Sequence, residues 1–378
     1  MNDNLISSTI SFLRFPLMVG IVFIHFNILN GVTVQGVVYG ADIPVWHQFI
    51  INLCSDVIPR IAVPMFFFIS GYLFFLKDSD NHKYKEKLKR RFNTLFIPYI
   101  LWNLIAIGIL LLKTSSILDF LFINSENISH ADYSLKNVLA LFWNKDMFFS
   151  SQNVPAQLFP LDVPLWYLRE LMIVMLLSPF LFKSVKKWGG YSVAVAGCVW
   201  LLFSIMPIPN AYISVNQLST GIFFFLWGSL YSISKIDFLV IFRKWRGLLF
   251  FYIPIAVIDA CTKGSPVNIM IHNGGIFIGV ISIFALASYI IEKREMNVIC
   301  ALGNNASFFI FALHYLIMQD TGKAILKMLL YVFSSLPAWS YVLFYFFVPC
   351  MTIVLQLILY KFLRKYFSVA LSVLTGNR

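Results

Sequence analysis

The sequence predicts an all-α protein, a polytopic bundle of helices embedded in a lipid bilayer. Of its 378 residues, 59% are hydrophobic and only 12% are charged, whereas soluble domains contain about 25% charged residues. A soluble protein of this composition would lack the charged side chains needed to cover its surface. The apolar residues also fall into runs of roughly 20, the length that a helix needs to cross a bilayer.

About ten apolar segments are candidate spans, and they form a single membrane-embedded domain over residues 1–378. They lie near residues 10–30, 58–76, 94–113, 163–183, 190–207, 217–234, 246–261, 270–291, 303–320 and 341–362. A further apolar segment, 322–336, is too short to span and indicates a re-entrant or interfacial helix.

The longest predicted connection is the loop 114–162, between the third and fourth spans. It contains LKNVLALFW (Leu135 to Trp143), whose pattern predicts a short amphipathic helix. Because loops of this length on a compact bundle are often lids or substrate-binding walls, we expect this one to contribute to function.

The placement of positive charge predicts the orientation of the bundle. The net charge is +12, and the densest basic cluster, Lys77 to Arg91, lies between the second and third spans. Ten spans with both termini in the cytoplasm satisfy the positive-inside rule and place the loop 114–162 outside. Basic clusters beside apolar spans are typical of such topology signals, so no nucleic-acid partner is predicted.

The cysteines predict neither a disulfide framework nor a metal site. They are odd in number and none forms a C-x-x-C pair; they are Cys54, Cys198, Cys261, Cys300 and Cys350. The N-terminus lacks the basic region and small-residue cleavage site of a signal peptide. The first apolar segment is therefore predicted to be a retained helix.

Two ionisable residues in the first span are candidate catalytic groups. Arg14 and His25 are eleven residues apart, which places them within about 20° of one helix face and about 16 Å apart along its axis. A charged side chain inside a span costs about 2.5–3.5 kcal/mol, and histidine suits proton transfer. The structural alternative is an arginine that reaches the lipid headgroups and a histidine that hydrogen-bonds to a neighbouring helix.

Candidate substrate-binding residues enter the second and fourth spans from the predicted outer side. In PLWYLRELMIVMLLSP, Trp166, Arg169 and Glu170 are spaced i, i+3 and i+4 and share a helix face. Arg60 stands at the outer start of the second span. The structural alternative is an aromatic anchor at the membrane interface with a local ion pair.

The ninth span adds His314, seven residues after Ser307 and roughly in line with it in NNASFFIFALHYL. A helix-to-helix hydrogen bond is the structural alternative for this histidine. In the second span, Ser70 and Gly71 favour close helix packing rather than chemistry.

Cations and titratable groups are predicted to separate across the membrane. The cations at the cytoplasmic mouth are Arg14, Lys87, Arg90 and Arg91, although a basic run at this position also serves as a topology signal. The polar groups of the outer half are His25, Arg60, Trp166, Arg169 and His314. A polar route between the two faces fits an anionic cytoplasmic donor and an external acceptor. It fits the transport of a small polar molecule equally well.

The ordered motifs resemble the acyltransferase 3 family of membrane proteins, especially its sugar O-acetylases. The first-helix pattern Arg-x10-His is matched by FLRFPLMVGIVFIH, with Arg14 and His25 at the two ends. Four further segments of this sequence resemble, in order, the family's second, third, fourth and near-terminal helices. They are VPMFFFISGYLF, RRFNTLFIPYILWN, PLWYLRELMIVMLLSP and SFFIFALHYL. One position departs from the pattern: many members have a second arginine three residues after the first in the third helix, whereas Thr94 follows Arg91 here.

The resemblance implies transfer of an acyl group, most often acetyl, from cytoplasmic acyl-CoA to a hydroxyl of a cell-surface or exported glycan. No permanently bound cofactor and no metal are implied. His25 would be the general base. Acyl-CoA would be bound by Arg14, Lys87, Arg90 and Arg91. The sugar acceptor would contact Arg60, Trp166, Arg169, Glu170 and His314. The alternative functions are a transporter or flippase of a small polar molecule and, third, a membrane sensor or assembly partner. Each of them places the chain in the cell membrane, the bacterial inner membrane, as a multi-pass protein.

Overall fold

The computed structural model describes residues 3–26, 32–34, 37–39, 44–76, 84–114, 134–148, 158–210, 212–293, 298–332 and 337–376. Helices make up most of the described chain, as predicted. The exception is one antiparallel hairpin, in which β1 (Val32–Val34) pairs with β2 (Val37–Tyr39). These short strands lie in the segment that follows the first helix.

The helices are bounded as follows: α1 (Asp3–Ile24), α2 (Val45–Ile51), α3 (Ala62–Phe75), α4 (Tyr84–Arg91), α5 (Ile97–Thr114), α6 (Leu135–Ala140), α7 (Lys145–Phe148), α8 (Trp166–Leu176), α9 (Ser178–Trp188), α10 (Gly190–Ile205), α11 (Val215–Ile233), α12 (Phe238–Lys244), α13 (Leu248–Cys261), α14 (Asn268–Lys293), α15 (Val298–Val332), α16 (Ala338–Tyr366) and α17 (Ser368–Leu374). Wider π-helical turns (Asn52–Val57, Phe92–Phe96) and tighter 3₁₀ turns (Ile58–Ile61, Val163–Leu165) connect several of them.

Several helical stretches are long and apolar enough to cross a membrane. Within the described residues there are five of them, or up to seven if each of two bent pairs counts as one span. The five are Asn4–Ile24, Val45–Phe75, Tyr84–Leu112, Asn268–Lys293 and Trp339–Tyr366, and the bent pairs are α8 with α9 and α11 with α12. The chain is therefore a multi-pass membrane protein. The count of ten spans and the location of the termini stay predictions.

Three predicted segments have different bounds in the structure. The first helix covers Asp3–Ile24 rather than 10–30, so His25 lies in the turn that follows it. The fourth span bends by 61° after α8, where Pro179 in the first turn of α9 lacks the N–H that would continue the helix. The segment 322–336 is not a separate helix as far as it is described, because α15 continues to Val332 without a break.

Two glycines bring the centre of the bundle into close contact. A Cβ atom added at Gly71 in α3 would collide with the carbonyl of Phe225 in α11, and one at Gly228 would collide with the carbonyl of Phe68. The Ser229 hydroxyl donates to the carbonyl of Gly71 at 3.3 Å across the same contact. The close packing predicted for Gly71 is therefore present, and it fixes α3 beside the helices that line the cavities described below.

Candidate active site

A cavity of about 620 Å³ opens beside the turn that ends α1. We call it the His25 cavity, because the side chain of His25 lines it. Other polar and aromatic groups of its lining include Arg60, Lys145, Trp166, His272 and Tyr315. Hydrogen-bonding groups and an indole ring at one wall make the cavity suitable for a hydroxyl-rich ligand.

A second cavity, of about 390 Å³, contains Arg14, and we call it the Arg14 cavity. Its polar lining includes Arg14, Ser70, Arg91, Asn304 and Ser307. Two guanidinium groups on different helices thus face one space. Such an arrangement suits a phosphate or another anion, because each guanidinium offers several donors in a fixed plane.

The two cavities lie end to end along the helices rather than side by side. Along α1, Arg14 lines the Arg14 cavity and Ile21 lines the His25 cavity. Along α15, Asn304 lines the former and Tyr315 the latter. Eleven residues separate Arg14 from His25, so the two candidate groups are about 16 Å apart along the helix axis.

Two aromatic rings separate the cavities. Tyr167 in α8 and Phe311 in α15 line both of them. Their ring centroids are 6.2 Å apart and the planes are nearly perpendicular. The hydroxyl oxygen of Tyr167 lies 3.2 Å from that of Ser70 in α3. We call Tyr167 and Phe311 the aromatic partition.

His25 is surrounded by aromatic rings and a second imidazole. Its ring centroid is 5.3 Å from that of His314 and 5.4 Å from that of Tyr315. The ammonium group of Lys145 lies over the Tyr315 ring at 5.9 Å. Arg60, which also lines the cavity, forms an ion pair with Asp56 at 2.5 Å. The predicted candidates His25, Arg60 and His314 therefore do come together.

His314 is buried and has a defined tautomer. Its Nδ1 lies 3.1 Å from the carbonyl oxygen of Ile310. Because a carbonyl only accepts, Nδ1 carries the proton and Nε2 is the basic nitrogen. Nε2 is buried and has no hydrogen-bond partner in the described structure. His314 does not line the His25 cavity. It can therefore affect the site only indirectly, through its contact with the ring of His25.

The structure divides the four predicted cytoplasmic cations into two pairs. Arg14 and Arg91 line the Arg14 cavity. Lys87 instead donates to the carbonyl of Phe74 at 3.1 Å and lies over the Phe74 ring. Arg90 lines neither this cavity nor the His25 cavity, because it occupies a different face of the helix from its neighbour Arg91.

Of the predicted residues in α8, only Trp166 faces the His25 cavity. The Arg169 guanidinium donates to Glu170 Oε1 at 2.8 Å, to the Leu158 carbonyl at 3.1 Å and to the Trp143 carbonyl at 2.5 Å. Both members of this pair are almost fully buried. They lie outside both cavity linings and hold the segment around Trp143 against α8.

A polar cluster on the wall of the His25 cavity was not predicted. Asp259 at the end of α13 is buried, and its Oδ2 lies 2.8 Å from His272 Nδ1 in α14. Oδ1 accepts from Lys263 at 2.9 Å and from Asn268 at 2.7 Å. The carboxylate accepts a hydrogen bond from Nδ1–H, so in the neutral imidazole Nε2 of His272 is the acceptor nitrogen.

A sequence signal for this cluster exists. Asp259 and His272 are ionisable residues in two successive predicted spans, and such residues inside spans point to function. The sequence alone does not show that the two residues are in contact, because they are thirteen positions apart and on different helices. Their contact depends on the antiparallel packing of α13 against α14.

The comparison with protein families decides the class of this protein. The model described as an acyltransferase domain, Acyl_transf_3, matches residues 8–361, nearly the whole chain. The chain belongs to the acyltransferase 3 family. The resemblance predicted from the helix motifs is therefore confirmed, and the protein is a membrane acyltransferase of this family.

One curated relative covers the full length of this family member. It is the succinoglycan biosynthesis protein ExoH of Rhizobium meliloti (strain 1021), which is 24% identical over 390 residues, covering 100% of this chain and 94% of the relative. No solved structure matches the chain.

The position at which this acyltransferase departs from the family motif lies outside the Arg14 cavity. Thr94 is in the π-helical turn Phe92–Phe96, and its backbone packs against Gly376 at the end of the chain. Arg91, three residues earlier, lines the cavity. Among the described residues, the cations in this cavity's lining are therefore Arg14 and Arg91.

Proposed function

We propose that this acyltransferase moves an acyl group, most often acetyl, from acyl-CoA to a sugar hydroxyl of a cell-surface or exported glycan. The observation that supports the proposal most directly is the pair of cavities in line, with Arg14 in one and His25 in the other. The name of the relative, which refers to succinoglycan biosynthesis, supports a glycan as the acceptor.

The donor binds with its phosphates in the Arg14 cavity. Arg14 and Arg91 supply charge-assisted hydrogen bonds to an anion there. The acyl-bearing arm of CoA then extends past the aromatic partition toward His25. The roughly 16 Å between Arg14 and His25 along the helix requires a long and slender donor arm rather than a compact donor.

The acceptor binds in the His25 cavity. The Trp166 indole offers an apolar face for a sugar ring, and the Asp259 and His272 pair offers a fixed acceptor nitrogen for a hydroxyl. Arg60 and Lys145 add donors on other parts of the lining. The acceptor site proposed from the structure therefore keeps Trp166 and Arg60 and adds His272.

The chemical step is a single acyl transfer without redox change. His25 takes the proton of the sugar hydroxyl as the oxygen attacks the thioester carbonyl carbon. The new C–O bond forms, the C–S bond breaks, and the thiolate of CoA leaves with the proton that His25 holds. The products are a sugar ester and CoA–SH. His314 acts as a positioning residue that holds the ring of His25.

A transporter or flippase is the second candidate function, because two polar cavities in line also fit passage of a small molecule. It predicts movement of solute without a new ester. In both cases the location is the cell membrane, with the termini and the Arg14 cavity on the cytoplasmic side, as the distribution of positive charge indicates.

The general base is tested with the purified protein in lipid nanodiscs, supplied with acetyl-CoA and glycan whose esters have been removed by mild alkali. His25→Ala is expected to reduce transfer by about 10²–10⁴-fold, because a positioned base is lost. His47→Ala is the matched control, since His47 is also buried but lines neither cavity. Near-normal transfer by folded His25→Ala would refute the role of His25.

A further inference from the structure

The aromatic partition stands at the only place where the two cavities share lining residues among those described. Every helix that lines both cavities contributes one end to each, and the change occurs at Tyr167 in α8 and Phe311 in α15. Any group that travels from one cavity to the other therefore meets these two rings.

We propose that Tyr167 and Phe311 form a gate that the acyl end of the donor crosses, and that this gate selects unbranched acyl groups. The inference rests on the proposed function, because it requires a donor in the Arg14 cavity and an acceptor in the His25 cavity. It adds the substrate class: linear acyl chains pass, whereas acyl groups branched next to the carbonyl do not.

Tyr167 is the fixed side of the gate. Its hydroxyl is 3.2 Å from that of Ser70, and its ring packs edge-on against Phe67 at 4.8 Å. Phe67 is fully buried in α3, the helix held in place by the glycine contacts with α11. Movement of the tyrosine ring toward α3 is therefore blocked by close-packed side chains.

Phe311 is the movable side. Its ring is buried but forms no hydrogen bond of the kind that joins the Tyr167 hydroxyl to Ser70. Its aromatic contacts are with Tyr167 at 6.2 Å and with Phe308, one turn earlier, at 6.1 Å. Rotation of the Phe311 ring away from Tyr167 opens a slot between the two side chains. The width of this slot is about the thickness of an aromatic ring. A linear acyl chain is no wider than the planar amide groups of the donor arm that follow it, so it fits the same slot. Two methyl groups on the carbon beside the carbonyl make the leading end wider than those amides, and the dimethyl carbon of the arm itself lies next to the phosphates and stays in the Arg14 cavity.

The test compares butyryl-CoA with isobutyryl-CoA, which contain the same atoms and differ in width. The acceptor is the de-esterified surface glycan of a deletion strain, and CoA release with ester formation is measured in nanodiscs. The wild type is expected to prefer butyryl-CoA by about tenfold or more, since a misplaced methyl group changes discrimination by about 10–200-fold in tight apolar sites.

Phe311→Ala and the milder Phe311→Leu are expected to reduce this preference, the alanine variant most. Phe309→Ala is the matched control, because Phe309 is a buried phenylalanine of the same helix that packs against Trp102 and Tyr360 and lines neither cavity. The control is expected to keep the wild-type preference.

An active Phe311 variant that keeps the full preference for butyryl-CoA would refute the gate, as would a wild type that uses both donors equally. A wild type that uses acetyl-CoA but neither four-carbon donor would refute it too, because the linear chain would then be excluded as well. Failure of the wild type to transfer from any acyl-CoA, acetyl-CoA included, would refute the proposed function and the gate with it. The two failures are thus separated by whether the wild type uses a donor at all.

Discussion

Two neighbouring arginines of α4, Arg90 and Arg91, face different surroundings. Substituting each of them separately therefore tests the proposed donor site. Arg91 lines the Arg14 cavity, whereas Arg90 lines neither of the two cavities. Both residues carry the same charge and precede the same π-helical turn. A long-range effect of charge on CoA binding would be similar for the two, while a direct contact would be lost only with Arg91.

We predict that Arg14→Gln and Arg91→Gln weaken binding of acetyl-CoA by roughly 10- to 100-fold each, because hydrogen bonds to charged groups contribute about 1.5–3 kcal/mol. Arg90→Gln is expected to leave the affinity within about threefold of the wild type, since exposed charges at a distance are screened. Titration of the nanodisc-embedded protein with acetyl-CoA measures all three. Equal loss in Arg90→Gln and Arg91→Gln would show that the cations act only through their summed charge.

Part of the site could be predicted from the sequence because helical periodicity is local. Arg14 and His25 belong to one helix and its following turn, so their spacing alone places them in line. Asp259 and His272 belong to two helices, and their contact depends on how α13 packs against α14. Arg169 has the spacing of a site residue in α8, yet its guanidinium faces carbonyls of the preceding segment, a partner choice that periodicity does not encode.

At the scale of elements, the pair of Arg169 and Glu170 attaches the segment before α8 to the bundle. The guanidinium reaches two backbone carbonyls and lies 4.9 Å from the ring centroid of Trp143. Trp166, three residues before Arg169, lines the His25 cavity instead. One helix thus presents a structural face and a ligand-binding face.

We expect Arg169→Ala to lower the free energy of unfolding by about 3–5 kcal/mol, because it leaves the Glu170 carboxylate buried without its partner. Trp166→Ala, in contrast, is expected to raise KM for the glycan up to about tenfold through loss of aromatic contact, with little change in melting temperature. Thermal unfolding and steady-state kinetics of both variants provide the comparison. A normal melting temperature with impaired glycan binding in Arg169→Ala would place this arginine at the acceptor.

Helix positions were predicted more accurately than helix ends. Each predicted span overlaps a helix, because long apolar segments determine where helices lie. The bend after α8 and the uninterrupted α15 depend on how backbone groups are satisfied inside the bundle. Apolar content contains no information on that arrangement. The sequence therefore predicted a single span at 163–183, which bends in the structure, and a separate segment at 322–336, which is part of α15 as far as Val332.

At the scale of the whole molecule, the arrangement of cavities combines two compartments in one bundle. The Arg14 cavity is lined by two guanidinium groups, whereas the His25 cavity combines two cations, Arg60 and Lys145, with imidazole, indole and amide groups. If one chain binds the anionic donor on one side and the sugar on the other, the acyl group can pass through the bundle. No separate transporter is then needed to export an activated acyl donor. Transport of a small molecule would use the same cavities without forming an ester.

The most direct test is mass spectrometry of the surface glycan from a strain that lacks this gene, compared with the parent and with strains complemented by the wild type or by His25→Ala. We predict that the deletion removes one acyl ester from the repeating unit while the amount of glycan stays unchanged. The wild-type gene is expected to restore the ester, and His25→Ala is not. A glycan that keeps all its esters but is reduced in amount at the surface would contradict acyl transfer and support transport.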